Sequence, residues 1–248
     1  MPGSATDSEK DVRSESERIL LFGASGAIGG AIAKRFLSEG WHVVGAARRS
    51  VGEDGEIDWL EVDPFEAHFD GSGLRTFGPY SAVCWAQGAN LNDSIYDVTL
   101  ESHMELYRAN CVYILLTLQK LLTLDLLKPA SRLCVVSSIW QNIARQNKLS
   151  YAVTKAALQG LVLSAAADIA AKGHLINAVL PGALDTPMTR RNLGADQIAR
   201  LEESTKFNRL PALADVANLV FYLCSPYNTG ITGQFIAADL GFSHVRLV

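Results

Sequence analysis

Ile19-Leu20-Leu21-Phe22, followed by Gly23-Ala24-Ser25-Gly26-Ala27-Ile28-Gly29, is the stretch from which the fold is read. Four apolar residues without a polar break read as a strand buried on both faces. The run from Ile28 to Ser38 reads as an amphipathic helix, stopped by Gly40. Between them, glycines let the backbone turn sharply and let an anion approach backbone N–H groups at the helix N-terminus. A glycine-rich turn alone is weak evidence, because such turns often merely connect elements. Its place between a first strand and a helix points to a dinucleotide diphosphate held by Gly23, Ser25, Gly26, Ala27, Ile28 and Gly29.

Outward from this unit, strands and helices alternate. His42–Ala46 and Ile57–Val62 read as strands two and three, and Leu74–Gly78 leaves room for little more than a helical turn. Ala82–Ala86 is strand four, and a long helix from Leu100 to Leu127 is expected to stop before Pro129. Arg132–Ser137 is strand five, Tyr151–Lys172 an Ala- and Leu-rich helix, and Leu175–Leu180 a sixth strand ended by Pro181-Gly182. Residues 183–211 are polar and irregular, like a lid; Asp215–Cys224 is a helix and Gln234–Ala238 a last strand. Alternation of this kind predicts a doubly wound α/β fold, a mostly parallel seven-stranded sheet with helices on both faces. Residues 1–17 read as a mobile polar leader and 18–248 as a single domain.

A net charge of −4 gives no reason to expect nucleic acid or an anionic membrane as partner. No apolar run reads as long and charge-free enough to cross a bilayer, and the leader lacks a signal peptide's apolar core, so the expectation is a cytoplasmic protein. Cys84, Cys111, Cys134 and Cys224 lie far apart in apolar stretches, without metal-ligand or redox spacing. They read as reduced core thiols, and no metal site is expected.

Strand two ends Gly45-Ala46-Ala47-Arg48-Arg49. An NAD site would usually place an acid here for the adenosine ribose; small residues followed by Arg48 and Arg49 suit a 2′-phosphate, hence NADP(H). Asp63, ending strand three, is placed to touch the adenine.

Ser137-Ser138 closes strand five, and Tyr151-Ala152-Val153-Thr154-Lys155 opens the next helix. Tyr151 and Lys155 are one turn apart on one face. A phenol titrating near ~10 is a sluggish acid or base at neutral pH, and a fixed ammonium favours its phenolate. Ser138 can stabilise charge developing on a substrate oxygen, and Asn110 can bind a water linking Lys155 to solvent. A lone Tyr-x-x-x-Lys is common by chance. Downstream of a phosphate loop, after a strand ending Ser-Ser, it is strong.

From Arg18 to Phe242 the chain resembles the classical short-chain dehydrogenase/reductase family, generally that of 3-oxoacyl carrier-protein reductases. The matching pieces are GASGAIG, ANC around Asn110, VVSS ending at Ser138, YAVTK, INAVLPGALDTP and ITGQFIAADLG. The resemblance implies a Rossmann-type sheet, an Asn110–Ser138–Tyr151–Lys155 tetrad, and Lys155 holding the nicotinamide ribose. It also implies cofactor contacts at Ala86, Gln87 and Gly88, and at Pro181, Gly182, Leu184 and Thr186 near the carboxamide. A homodimer or homotetramer built on the long helices is implied as well. Three departures stand out: Ala27 replaces the loop's middle glycine, Trp85-Ala86-Gln87-Gly88 replaces the usual Asn-Asn-Ala-Gly, and the connection from strand three to strand four is short.

Trp140, Gln141, Arg145, Gln146 and Asn147 lie between the serine and the tyrosine, in a loop that borders the substrate in this family. With Arg190 and Arg191 in the lid, they suggest a polar carbonyl or alcohol as substrate. Lys128, Arg132 and Lys172 are candidates to meet an acidic carrier, although scattered surface charge is the better default. The reading is therefore an NADP(H)-dependent ketoreductase. Two alternatives are a dinucleotide-binding regulator without turnover, and an NAD-dependent alcohol dehydrogenase of the same fold.

Overall fold

The computed structural model describes residues 16–49, 55–186, 189–190 and 193–245. Most of the leader and Arg191 fall outside the described residues. Seven strands form one parallel sheet in the order β3-β2-β1-β4-β5-β6-β7. They are β1 (Arg18–Phe22), β2 (His42–Ala47), β3 (Asp58–Glu61), β4 (Tyr80–Trp85), β5 (Leu127–Val136), β6 (Leu175–Pro181) and β7 (Phe235–Ala238). The order reverses between β1 and β4, and the crevice beyond their carboxyl ends is where such sheets bind ligands.

Because strand side chains alternate, β1 feeds two cores. Ile19 and Leu21 face α1 (Ala27–Leu37) and the late helix Leu213–Cys224, against Ile32, Phe36, Val216 and Val220. Leu20 and Phe22 face the opposite core, with Ile114, Leu118, Leu158 and Val162. That core is covered by α2 (Leu100–Tyr107), α3 (Tyr113–Thr123) and α4 (Leu149–Ile169). The segment after β6 contributes α5 (Ala195–Glu203), so the late helix is α6.

Three features differ from the sequence reading. The expected long helix is broken by a wide π turn at Arg108–Val112, and it ends at Thr123. Asp125 and Ala130 have positive φ values of 54° and 55°, and the chain turns back so that Leu126 and Leu127 are buried beside Tyr80. The apolar run that suggested more helix thus serves the start of β5; a short apolar segment carries no period to separate the two. Finally, Leu149–Lys172 does have the length and mean hydropathy, 1.2, of a membrane span. Here it lies on the sheet, with Thr154, Lys155, Leu158 and Val162 buried beneath it.

All four cysteines are buried free thiols. Cys84 and Cys134 are register partners on adjacent strands.

Candidate active site

The glycine loop is built for close approach. Gly23 has φ +79°, and a Cβ there would lie 2.6 Å from the Gln87 backbone nitrogen. A Cβ on Gly29 would lie 2.1 Å from the Gly23 carbonyl oxygen. No other residue fits either position. Ala27, the departure from the family's loop, is exposed at the first position of α1 and fills no contact of this kind. Ile28 follows it in the same first turn, whose N–H groups have no helical carbonyl to bond.

The loop borders a cleft of about 940 Å³. Gly23, Ser25 and Gly26 line one side, Ala86, Gln87 and Gly88 another, and Arg48, Arg49 and Asp63 the outer end. Both arginines are exposed, and no acidic side chain ends β2. Asp63 accepts a hydrogen bond from the Phe65 N–H at 3.0 Å, which fixes the turn after β3. Arg108, from the π turn, lies over the Phe65 ring at 4.5 Å. The Gln87 side-chain amide is buried with neither its oxygen nor its nitrogen hydrogen-bonded. An unpaired buried amide costs about 1–3 kcal/mol, so this group fits a site completed by a ligand or water. A dinucleotide fits the cradle: glycines at the diphosphate, cations at the outer end, an unsatisfied amide between.

Ser138 ends the strand-five segment with extended backbone, and its hydroxyl accepts the Trp140 N–H at 3.3 Å. Ser138 also lies near enough to Tyr151 to lower the phenol's pKa, while burial raises it more. Lys155 is buried at 4% exposure and donates to the Val136 carbonyl at 3.2 Å. Its Nζ lies 5.7 Å from the centre of the Tyr151 ring. Burial pulls the lysine down to about 8, with the Cys111 thiol opposing.

Asn110 sits in the π turn, fully buried. Its Nδ2 donates to Thr154 Oγ1 at 3.0 Å and to the Ala89 carbonyl at 3.2 Å, and its Oδ1 accepts the Ala89 N–H at 2.8 Å. A Cβ at Gly88 would lie 3.2 Å from Asn110 Oδ1 and 3.6 Å from Lys155 Nζ. Asn110 and Lys155 therefore flank the same glycine, and all four tetrad residues gather at the carboxyl ends of β4 and β5. π turns of this kind often occur at functional sites.

The other expected positions divide. Trp140 is half-buried, edge-on to Phe242 at 6.4 Å, with the Arg145 guanidinium 5.6 Å from its ring. Gln141 is buried and accepts the Ser137 hydroxyl at 2.8 Å, so its carboxamide oxygen braces the strand end. Arg190 grips Asp185 through two bonds of 2.7 and 2.8 Å. Thr186 accepts the Thr189 N–H at 3.1 Å, Leu184 is buried, and Gly182 beyond Pro181 donates to the Ala238 carbonyl at 3.1 Å. Arg132 precedes Ser138 by roughly 20 Å of extended strand, and Lys128 and Lys172 lie at that same far end of the sheet. Among the described residues, no group of three or more His, Cys, Asp or Glu side chains could hold a metal ion.

Lys148 went unread in the sequence. It is buried at 4% exposure, and its Nζ lies 5.5 Å from the Tyr151 ring centre. It is the N-cap of α4, where the helix dipole disfavours a cation, but a helix read from Tyr151 gives no sign of that.

A family profile described as enoyl-(acyl carrier protein) reductase matches residues 79–243, two thirds of the chain. The chain belongs to the classical short-chain dehydrogenase/reductase family. As a member it is an oxidoreductase that uses a nicotinamide cofactor. The 3-oxoacyl-[acyl-carrier-protein] reductase of Escherichia coli is 26% identical over 238 residues, covering 92% of this chain and 97% of the relative. Protein FixR of Bradyrhizobium diazoefficiens is 30% identical over 249 residues, covering 92% and 87%. Among solved structures, aldohexose dehydrogenase of Thermoplasma acidophilum superposes with a TM-score of 0.83 at 23% identity, covering 94% of this chain and 96% of that one. ElxO with NADP bound superposes at 0.80 with 20% identity, covering 92% and 99%. These two likenesses carry the fold.

Proposed function

We propose that this short-chain reductase is an NADPH-dependent ketoreductase acting on a polar carbonyl compound. The observation that carries this reading is the gathering of Ser138, Tyr151 and the buried Lys155 at the end of β5, with Lys155 Nζ bonded to the Val136 carbonyl and 5.7 Å from the Tyr151 ring centre. The bound dinucleotide would supply the hydride, its diphosphate held by Gly23–Gly29 and its 2′-phosphate by Arg48 and Arg49. Ser138 donates to the substrate carbonyl oxygen and polarises it. Tyr151 gives that oxygen its proton as charge develops there, and Lys155 stabilises the phenolate left behind. Asn110 fixes Thr154 and the loop at Ala89, so that the helix bearing Tyr151 keeps its place against β4.

Support for a polar substrate comes from a small pocket under the lid. It is lined by Trp140, Leu201, Thr205 and Phe242, and the buried Thr205 hydroxyl has no hydrogen-bond partner. Gln141 and Arg190, engaged with Ser137 and Asp185, are weaker candidates for that role than Trp140 and Arg145. The basic residues Lys128, Arg132 and Lys172 lie at the opposite end of the sheet from Ser138 and lend this reading no support.

The test is NADPH consumption against a panel of hydroxylated or carboxylated ketones, with wild-type protein and Tyr151→Phe side by side. Equal rates in the two would overturn the reading. NADH preferred over NADPH would favour an NAD-dependent alcohol dehydrogenase instead.

A further inference from the structure

Tyr151 has two lysines beside its ring. Lys155 Nζ is 5.7 Å from the ring centre and Lys148 Nζ is 5.5 Å from it. Lys148 cannot swing away freely. Its Nζ donates to Asn90 Oδ1 at 2.5 Å and to the Leu91 carbonyl at 3.2 Å, both in the loop after β4. The same loop caps α4. Asp93 accepts the Leu149 N–H on its carbonyl at 3.2 Å and the Ser150 N–H on Oδ1 at 2.9 Å, doing from a distant segment what Lys148, as N-cap, cannot. Asp93 is 6% exposed, and its second carboxylate oxygen has no hydrogen-bond partner.

A buried cation at a helix N-terminus is doubly disfavoured, by desolvation and by the helix dipole. The charges facing this corner are few. Asp93 favours the ammonium and Arg145 opposes it; burial and Arg145 pull Lys148 down to about 8, so it stays charged at neutral pH. From the α2 side, His103 Nδ1 meets the Ser150 hydroxyl at 2.8 Å; from the π turn, Cys111 lies near Lys155. Asp93 is the acid that borders Lys148, and Tyr151 is the group its charge faces. A cation at the face of a tyrosine ring interacts with the π system, and it favours the ionised phenol over the neutral one.

We propose that Lys148 is a positioning residue for proton transfer: held by the loop after β4, its ammonium is a second cationic flank that makes the Tyr151 phenolate accessible. The proposal rests on Tyr151 being the proton donor. It also explains why the loop bearing Asn90, Leu91 and Asp93 is tied so closely to the start of the catalytic helix.

The experiment reads Tyr151 ionisation directly, without turnover. Phenolate absorbance is titrated in wild type, Lys148→Gln, Lys148→Met and Lys148→Arg. Subtracting the matching protein that also carries Tyr151→Phe isolates this phenol among the seven tyrosines. Glutamine keeps a donor for Asn90 and Leu91 and loses only the charge, so it remains informative if the methionine variant folds poorly. In Lys148→Gln the Tyr151 titration should move up by about one pH unit, and Lys148→Arg should restore it. The pH limb of kcat should move in the same direction. If Tyr151 titrates at the wild-type pH in Lys148→Gln, the proposal is overturned, even where thermal stability or turnover has dropped. Undiminished turnover in Tyr151→Phe would overturn the ketoreductase mechanism instead, so the two failures are distinct.

Discussion

Asn110 Nδ2 donates to Thr154 Oγ1 at 3.0 Å, and through this bond the π turn of one helix holds the middle of the Tyr151–Lys155 turn on another. Thr154 Oγ1 in turn donates to the Tyr151 carbonyl at 2.9 Å. The chain of bonds runs from Ala89 after β4, through Asn110, to the backbone of the proposed acid. In the fold, Asn110 therefore acts as a brace.

Removing that brace should cost both stability and rate. Asn110→Ala leaves the Ala89 N–H and carbonyl and the Thr154 hydroxyl short of partners. A buried polar group left unsatisfied costs about 1–3 kcal/mol, which for a domain of this size corresponds to a melting temperature lower by several degrees. Turnover should fall as well, since Tyr151 loses its registration. Calorimetry and a steady-state assay check both; an unchanged melting temperature would contradict the bracing role.

Cofactor preference follows from the outer end of the cleft. NADPH should bind at least about tenfold more tightly than NADH, a difference of ~1.4 kcal/mol. Arg48→Ala should shrink that margin, mainly by weakening NADPH. Fluorescence titration with both reduced cofactors measures it, and equal affinities in the wild type would refute the role given to Arg48 and Arg49.

Tyr151→Phe removes the acidic hydroxyl and keeps the ring. NADPH affinity should stay near wild type while turnover drops by roughly 10²–10⁴-fold, the usual worth of a positioned general acid. Ser138→Ala should likewise act chiefly on turnover.

Much of this site was legible because its signals are local. Gly23 and Gly29 announce a backbone approach that the structure contains, and Tyr151 and Lys155 share a face simply by helical spacing. What stayed hidden depends on segments far apart in sequence. The π turn at Arg108–Val112 has no marker in Arg-Ala-Asn-Cys-Val, and neither Asp93 nor Lys148 looks unusual until the loop after β4 meets α4. Gln141 and Arg190 read as substrate contacts because sequence cannot show that Ser137 and Asp185 already engage them. Leu126 and Leu127 misled for another reason: an apolar pair fits the end of a helix or the start of a strand equally well.

Assembly should use the outer faces of α3 and α4. Leu115, Val153 and Leu163 are 54%, 44% and 49% exposed, and Met104 on α2 is 46% exposed. Several large apolar side chains left exposed on these helices favour burial by another subunit. Light scattering at micromolar concentration should give a dimer or tetramer, and Leu163→Glu should shift it toward smaller species. A monomeric wild type would count against this interface.

The last prediction sets function against stability at Lys155. An ordinary lysine titrates near 10.5, and burial holds this one at about 8. Below pH 8 the ammonium is charged in both folded and unfolded chains, and the fold bears the full cost of burying it. Between about 8 and 10.5 the unfolded chain binds the proton more tightly than the folded one, so the cost fades as pH rises through that window. Lys155→Met removes the buried charge but also the hydrogen bond to Val136. The shift corresponds to about 3 kcal/mol, and losing a bond to a charged group gives back part of it. The variant should therefore be about 1–2 kcal/mol more stable than wild type at pH 7, and its advantage should shrink above pH 8. It should at the same time lose turnover and cofactor affinity. Denaturant titrations at pH 7 and 10 decide the matter: a Lys155→Met protein less stable than wild type at pH 7 would mean that the ammonium is compensated within the fold.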